Sequence, residues 1–209
     1  VGAGLSGIEL ASELRESRTD LEIILYDRGP RILRNFPEKL SNYIAKWFRE
    51  NNVNVVPNSL IDKVEQGTIY NNGTPETVDI VVWTAGIQPV EIVRKLPIDT
   101  NKSGRVIVNQ YHQVPTYKNV YVVGDCAALP HAPSAQLAEV QGDQIADVLK
   151  KQWNHEPLPE KMPELKVQGF LGSLGDKQGF AYIMDRTVTG RLASILKSGV
   201  LWLYKYHNG

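Results

Sequence analysis

The chain has 209 residues, of which 42% are hydrophobic and 22% charged, and it is long enough to bury a substantial core in one or two domains. Its 23 Lys and Arg residues balance 23 Asp and Glu residues, so no net charge attracts it to nucleic acid or to an anionic membrane, and we expect no nucleic-acid partner. The single cysteine excludes an internal disulfide and any C-x-x-C site, and no apolar run reaches the ~18 residues of a membrane-spanning helix.

The first predicted element is a helix over residues 5–17, which directly follows a G-x-G-x-x-G pattern made by Gly2, Gly4 and Gly7. Such a pattern normally ends a strand and places a pyrophosphate at the N-terminus of the helix. Gly4 lets the backbone approach the pyrophosphate, and Gly7 lets the helix pack closely on the strand. We expect three backbone amides to hold the phosphate, those of Leu5, Ser6 and Gly7.

A buried strand is predicted next, over Leu21–Tyr26, and it ends in Asp27, 20 residues after Gly7. A carboxylate at this place can accept both ribose hydroxyls of a dinucleotide, and it favours NAD over NADP because a 2′-phosphate would meet a like charge. Arg28 and Arg31 could reach a 2′-phosphate, so NADP stays open. A helix and the short strand Val53–Val56 then complete a β-α-β-α-β unit. The inward face of that helix carries Leu40, Ile44, Trp47 and Phe48.

The middle of the chain predicts more strands than helices. Asn72 and Gly73 predict a hairpin turn. Val78–Gly86 predicts a buried strand that closes on a glycine turn, and two further strands are expected over Arg105–Asn109 and Asn119–Ala127. Ser134–Trp153 predicts a helix. Its mostly inward residues are Leu137, Val140, Ile145, Val148 and Leu149.

The last part of the chain predicts a linker, a hairpin and a final amphipathic helix. Three prolines mark residues 155–165 as the linker, residues 169–184 predict the hairpin, and residues 190–207 predict the helix. The helix pattern suits both an interfacial helix and one packed on the hairpin or on another subunit. It combines apolar Leu192, Ile195, Leu196, Leu203 and Tyr206 with basic Arg191, Lys197 and Lys205.

Two motifs beyond the opening fingerprint carry a resemblance to known proteins. The stretch NVYVVGDCAAL leads a strand into Gly124 and Asp125, and the stretch TAGIQP places a glycine turn at Ala85 and Gly86. Together with the fingerprint they resemble the flavoproteins that bind two dinucleotides. The resemblance implies that Asp125 binds the ribitol and phosphate region of FAD, and that the Ala85–Gly86 turn contacts NADH.

Within these flavoproteins, the stretches GLSGIELASEL, VVWTAGIQP and APSAQLAEVQG are similar to motifs of the type II NADH dehydrogenases, the single-subunit NADH:quinone oxidoreductases. The resemblance implies that Ala135, Gln136 and Gln141 lie against the flavin ring and line the quinone site. It also implies that Glu9 sits near the flavin and nicotinamide rings. From residue type alone, both glutamines would be ordinary exposed helix positions.

The resemblance implies an α/β fold with a Rossmann-like NAD(P)-binding domain. This domain would occupy residues 1–95, the returning C-terminal portion of an FAD-binding domain residues 96–155, and a β-hairpin with an amphipathic helix residues 156–209. Family members carry an FAD-binding segment, with its own G-x-G-x-x-G, before the NAD domain. We therefore expect this chain to be a fragment truncated at its N-terminus.

The implied activity is hydride transfer from NADH to FAD and then electron transfer to a quinone. NAD(H) and FAD would be the cofactors of the intact protein. The fragment alone would be limited to NADH binding. Glu9 would influence proton balance or ring placement. A ferredoxin or other protein acceptor and a non-catalytic NAD-binding module remain alternatives, although the SAQLAEVQG helix favours a quinone. We expect a cytoplasmic location, a peripheral association of the C-terminal helix with the membrane, and a homodimer. No metal is expected, because the histidines lack metal-ligand spacing; they are His112, His131, His155 and His207.

Overall fold

The computed structural model describes residues 1–130, 133–166 and 169–207, with the backbone alone at residues 201, 203–205 and 207. These residues form two compact units, Val1–Gly86 with Gln168–Gly209, and Ile87–Val167. The three predicted segments, divided after residues 95 and 155, stay a prediction. Four side chains named above lie outside the described residues, those of His131, Leu203, Lys205 and His207.

The first unit opens with the predicted α/β arrangement. Helix α1 (Leu5–Ser17) leads to strand β1 (Ile23–Tyr26), and helix α2 (Glu38–Glu50) leads to strand β2 (Val53–Val56). The two strands pair in parallel, with Ile23 opposite Val53. The predicted inward face of α2 is fully confirmed, because all four of its apolar side chains lie in the core, Leu40, Ile44, Trp47 and Phe48.

An antiparallel meander follows, made of β3 (Ile61–Glu65), β4 (Thr68–Asn71) and β5 (Thr74–Thr77). The predicted turn through Asn72 and Gly73 joins β4 to β5, and both residues have positive φ, as a tight hairpin turn requires. Strand β3 was not predicted because four of its five residues are exposed, so its sequence shows no buried periodicity.

The C-terminal part of the first unit is a three-stranded antiparallel sheet followed by a helix. The sheet holds β6 (Gly169–Leu174), β7 (Gln178–Ile183) and β8 (Arg186–Gly190), so the predicted hairpin is confirmed and extended by one strand. Helix α5 (Arg191–His207) packs on this sheet through the fully buried Ala193. In the described part of the chain, no helix has the length and hydropathy needed to span a membrane.

The buried strand predicted over Val78–Gly86 is wrong. This segment holds no strand, and Ile80 is 79% exposed. It runs beside Val1. The Val1 nitrogen donates to the Val82 carbonyl at 2.7 Å, and the Val1 carbonyl accepts from the Thr84 nitrogen at 2.8 Å. These two backbone bonds are too few for a ladder, although the sequence has the apolar character of a strand.

The second unit contains helix α3 (Glu91–Arg94), a 3₁₀ turn (Gly124–Cys126) and helix α4 (Ala135–Trp153). The strands predicted over Arg105–Asn109 and Asn119–Ala127 are wrong, since the described residues there make only isolated bridges. The bridges join Val106 to Thr100 and Ala127, and Gln113 to Tyr121. The apolar pattern was present, but a strand also needs a continuous partner.

Helix α4 is confirmed, and the Ser134 side chain caps it by accepting a hydrogen bond from the Leu137 backbone. Its buried row differs from the prediction. Val140, Ile145 and Leu149 are half-buried, whereas two glutamines lie in the core-facing row. That row consists of Leu137, Gln141, Gln144 and Val148.

Candidate functional site

The glycine-rich opening forms a turn beside the end of β1. The Gly2 backbone nitrogen donates to the Tyr26 carbonyl at 2.8 Å, and the Ala3 nitrogen donates to Asp27 Oδ2 at 2.7 Å. The bond from Gly2 to Tyr26 joins the turn to β1, as a backbone bond between neighbouring strands would. The side-chain bond ties the turn to the carboxylate predicted to bind a ribose.

The three fingerprint glycines meet different surroundings. A Cβ on Gly2 would lie 2.8–2.9 Å from the backbone of Thr84 and Ala85, and Gly2 has a φ of +102°. A Cβ on Gly7 would overlap the Gly2 carbonyl oxygen. A Cβ on Gly4 would meet no atom of the described residues within 4 Å. Gly2 and Gly7 therefore permit close packing, and Gly4 keeps one side of the turn open.

The open side of the turn lies at the N-terminus of α1. Gly4 is the N-cap, and as a glycine it offers the first turn no side-chain oxygen. The first-turn N–H groups have no acceptor within the helix, and the positive end of the helix dipole adds to their field. No acidic residue occupies this first turn. These N–H groups, which belong to Leu5, Ser6 and Gly7, suit an anionic group such as a pyrophosphate.

The Asp27 carboxylate is held in place by two backbone N–H groups. Oδ2 accepts from Ala3 and Oδ1 accepts from Gly29, each at 2.7 Å. Each oxygen keeps a further lone pair, so the fixed and only half-buried carboxylate can still accept hydroxyl groups.

The two nearby arginines differ. The Arg31 guanidinium donates to several oxygens of its own loop, including the Arg34 carbonyl at 2.9 Å and the Phe36 carbonyl at 2.8 Å. It also donates to the Ser41 hydroxyl. Arg28 is exposed. Arg31 is thus committed to the loop rather than directed at a ligand.

The predicted second glycine turn lies directly against the first. Thr84 Oγ1 donates to the Val1 carbonyl at 2.9 Å and to the Gly2 carbonyl at 3.0 Å, although Thr84 and Gly2 are 82 residues apart. Gly86 has a φ of +90°, and its nitrogen donates to the Thr84 carbonyl at 2.9 Å. The fold therefore brings Ala85 and Gly86 together with the fingerprint, and Thr84 is a contact that the motifs alone did not indicate.

The Gly124–Asp125 turn belongs to the second unit. Gly124 has a φ of +67°, and its nitrogen donates to Gln141 Oε1 at 2.6 Å. Arg105 Nε donates to the Asp125 carbonyl at 3.1 Å, while Asp125 itself is exposed. Ala135 is exposed at the start of α4. A small hollow beside the turn is lined by Gly124, Ala127, Leu129, Pro133, Ser134, Leu137 and Gln141.

The two predicted glutamines occupy different environments. Gln141 is only 2% exposed, whereas Gln136 is half-buried near the start of α4. One turn beyond Gln141, the Gln144 amide nitrogen donates to the Pro163 carbonyl at 2.8 Å, and its oxygen accepts from the buried His112 ring at 2.8 Å. The sequence does not predict this network, because one histidine and one glutamine far apart in the chain form no recognisable motif.

Glu9 joins three elements of the first unit. Its Oε1 accepts from the Ser173 backbone nitrogen at 2.8 Å and from Lys197 Nζ at 2.5 Å. Lys197 also donates to the Ser173 hydroxyl at 2.8 Å. The carboxylate of α1 is thereby tied to β6 and α5. These partners were not predictable from spacing, and the predicted place of Glu9 near two cofactor rings stays a prediction.

Comparison with known proteins identifies the family. Residues 1–142 match the family model for pyridine nucleotide-disulphide oxidoreductases, and the chain belongs to this family. It is 56% identical over 209 residues to the NADH dehydrogenase-like protein YutJ of Bacillus subtilis (strain 168), covering 100% of this chain and 59% of that protein. It is 25% identical over 218 residues to the type II NADH:quinone oxidoreductase of Staphylococcus aureus (strain MSSA476), covering 94% of this chain and 54% of that one.

A solved structure shares the fold. The structure of NDH2 from Plasmodium falciparum in complex with NADH matches with a TM-score of 0.78 at 16% identity, over 96% of this chain and 60% of that chain. The predicted flavoprotein fold and the predicted resemblance to type II NADH dehydrogenases are confirmed. The chain nevertheless spans only 59% of the Bacillus protein and 54% of the Staphylococcus enzyme.

Proposed function

We propose that this chain supplies the NADH-binding part, and a portion of the FAD-binding part, of an NADH:quinone oxidoreductase. One observation carries the proposal: the open side of the fingerprint turn adjoins both a fixed carboxylate, Asp27, and a second glycine turn at Ala85–Gly86. The names of the similar proteins, NADH dehydrogenase-like and type II NADH:quinone oxidoreductase, support the same activity.

The residues present fit a nicotinamide dinucleotide. The first-turn amides of α1 would hold the pyrophosphate, and the Asp27 carboxylate would accept the ribose hydroxyls. The cofactor would be NAD(H) rather than its 2′-phosphorylated form, because a phosphate would face the Asp27 charge while Arg31 is engaged by its own loop.

The residues also fit part of a flavin site. The exposed Asp125 carboxylate lies on a turn whose backbone is bonded to Gln141 on one side and to Arg105 on the other. A fixed backbone of this kind suits a carboxylate that binds the ribitol and phosphate region of FAD. When bound, the two cofactors would supply the hydride-transfer chemistry and the route of electrons to a quinone. Ala135 and Gln136 would lie beside the flavin ring and line the quinone site.

Glu9 would influence proton balance or ring placement. Its carboxylate is already fixed by Lys197 and the Ser173 backbone, so it can present one geometry to a neighbouring group. In the full-length protein, Glu9→Gln should lower turnover and shift its pH profile. Unchanged turnover with an unchanged pH profile would remove Glu9 from the mechanism.

The visible absorption spectrum of the purified full-length protein tests the proposal. We expect a flavin band that bleaches when NADH is added without oxygen and returns when a quinone is added. A colourless protein that still binds NADH would instead be a non-catalytic NAD-binding module. A bleached band that returns with ferredoxin and not with quinone would point to a protein acceptor.

A further inference from the structure

We infer that Gln141 is a positioning residue for the flavin-binding turn at Gly124–Asp125 rather than a wall of the quinone site. The inference rests on the proposed function, because it concerns the turn that would hold FAD. Sequence resemblance placed Gln141 against the quinone, whereas its contacts in the structure assign it to the backbone of the turn.

The side chain of Gln141 is used inside the second unit. It is 2% exposed, and its Oε1 accepts from the Gly124 nitrogen at 2.6 Å. A buried backbone N–H without a partner is costly, and in the described part of the chain no residue of α4 other than Gln141 accepts from the Gly124 nitrogen. The amide therefore satisfies a group of the turn and has little surface left for a substrate.

The bond controls where Asp125 stands. Gly124 adopts a left-handed φ of +67°, and the two following carbonyls are held by Arg105 Nε at 3.1 Å and by the Val106 nitrogen at 2.8 Å. Gln141 fixes the start of the turn, and these two donors fix its continuation. The Asp125 side chain alone is left exposed, so a shift of the backbone would move the carboxylate directly.

Helix α4 supplies its own matched control. Gln144 is a second buried amide on the same face, and it bonds His112 and the Pro163 carbonyl, with no hydrogen bond to the turn among the described residues. Replacing either glutamine by methionine keeps the side-chain length and removes the polar atoms. Any general loss of helix packing should therefore be similar for the two variants.

The test measures FAD affinity of the full-length apoprotein by quenching of flavin fluorescence, together with the KM for quinone at saturating FAD. We expect Gln141→Met to raise the FAD Kd about tenfold, the size of one lost hydrogen bond, and to leave the quinone KM unchanged. Gln144→Met should leave the FAD Kd unchanged. Gln141→Glu should bind FAD more tightly than Gln141→Met, because a carboxyl keeps an oxygen acceptor in either protonation state.

Three results would overturn the inference. A raised quinone KM with an unchanged FAD Kd in Gln141→Met would return the residue to the quinone site. Equal losses of FAD affinity in Gln141→Met and Gln144→Met would show only a weakened helix. If Gln141→Met does not fold, a raised quinone KM with an unchanged FAD Kd in Gln141→Glu decides against the inference in its place. A wild-type protein that takes up no FAD would overturn the proposed function itself, which sets that failure apart from the other two.

Discussion

At the scale of single residues, the fingerprint separates folding from binding. Gly7 has the Gly2 carbonyl where a side chain would stand, and Gly2 has the Thr84–Ala85 backbone there, so both are required by packing. Gly4 has neither constraint, since its backbone lies in an ordinary extended region with a φ of −77° and a ψ of −175°. The missing side chain at Gly4 therefore leaves room for a group outside the described residues, such as a pyrophosphate.

Alanine substitutions should therefore divide the two roles. Gly4→Ala should leave the unfolding free energy within about 1 kcal/mol of wild type and raise the NADH Kd at least about tenfold, because the methyl group would occupy the pyrophosphate position. Gly7→Ala should lower the unfolding free energy by about 2–3 kcal/mol, because the backbone carbonyl cannot give way. Denaturant unfolding and NADH titration measure both effects, and a Gly4→Ala protein that binds NADH like wild type would contradict the proposed site.

The phenol of Tyr26, just before Asp27, should report on pH. Its hydroxyl donates to Glu76 Oε2 at 2.5 Å, and burial, then the bond to this carboxylate, raises the pKa of Tyr26 to about 12 from the ordinary 10.0. Between these values the folded chain keeps a proton that the unfolded chain releases. The stability contributed by this group is therefore complete below pH 10 and is lost as the pH rises toward 12.

Absorbance at 295 nm during an alkaline titration checks this expectation. Wild type should show one more phenol that ionises near pH 12 than the Tyr26→Phe variant does. Glu76→Gln should lower the pKa of Tyr26 but leave it above its ordinary value, because burial is the larger cause. If the phenol that Tyr26→Phe removes ionises near pH 10 in wild type, the Tyr26 ring is solvated.

At the scale of elements, the sequence predicted what local bonds decide. Helices α1 and α4 lie within one residue of their predicted limits, and α2 buries its predicted inward face, because helical hydrogen bonds and caps are local. The strands expected over Val78–Gly86 and Arg105–Asn109 failed, because a ladder depends on a partner that the strand's own residues do not specify. The candidate site divides likewise: motifs located Gly4 and Asp27, but the partners of Glu9 and Gln141 come from distant elements.

The ion pair between Glu9 and Lys197 should hold α5 to α1. The two side chains are only 35% and 27% exposed, so removing one partner leaves a partly desolvated charge. Lys197→Met should lower the unfolding free energy by about 1–2 kcal/mol, and adding Glu9→Gln should recover part of this loss. The matched control is Lys46→Met, whose i,i+4 pair with Glu50 is well exposed and should contribute under about 0.5 kcal/mol. Denaturant unfolding checks this coupling. If Lys197→Met and Glu9→Gln change the unfolding free energy in a strictly additive way, the two side chains are not coupled.

At the scale of the whole molecule, the balanced charge gives no general attraction to membranes, so any surface association must come from a local feature. Helix α5 offers one. Its inner side packs on the sheet through Ala193, and its exposed apolar side chains among the described ones recur at roughly helical spacing and form a row. The row consists of Leu192, Ile195, Leu196, Val200, Trp202 and Tyr206. Exposed apolar surface of this extent typically marks an interaction site.

We expect this row to associate with lipid through apolar contact more than through charge. Lys197 is engaged by Glu9, and Arg191 is the exposed cation among the described side chains of α5. Anionic vesicles should therefore bind the full-length protein no more than about thirtyfold more tightly than neutral ones, the effect of two basic residues, Arg191 and Lys205. Co-sedimentation with vesicles of the two compositions, at equal lipid concentration, measures this ratio.

Variants of the row separate lipid from a second copy of the chain. Leu192→Asp with Ile195→Asp should weaken vesicle binding at least about tenfold, because two apolar side chains no longer reach the lipid, and should leave the fold intact because both side chains are exposed. Ile80→Asp changes an equally exposed apolar residue outside α5 and should bind vesicles like wild type. If the double variant keeps its vesicle binding but sediments as a monomer where wild type is a dimer, the row is covered by the partner subunit, and the lipid interpretation is wrong.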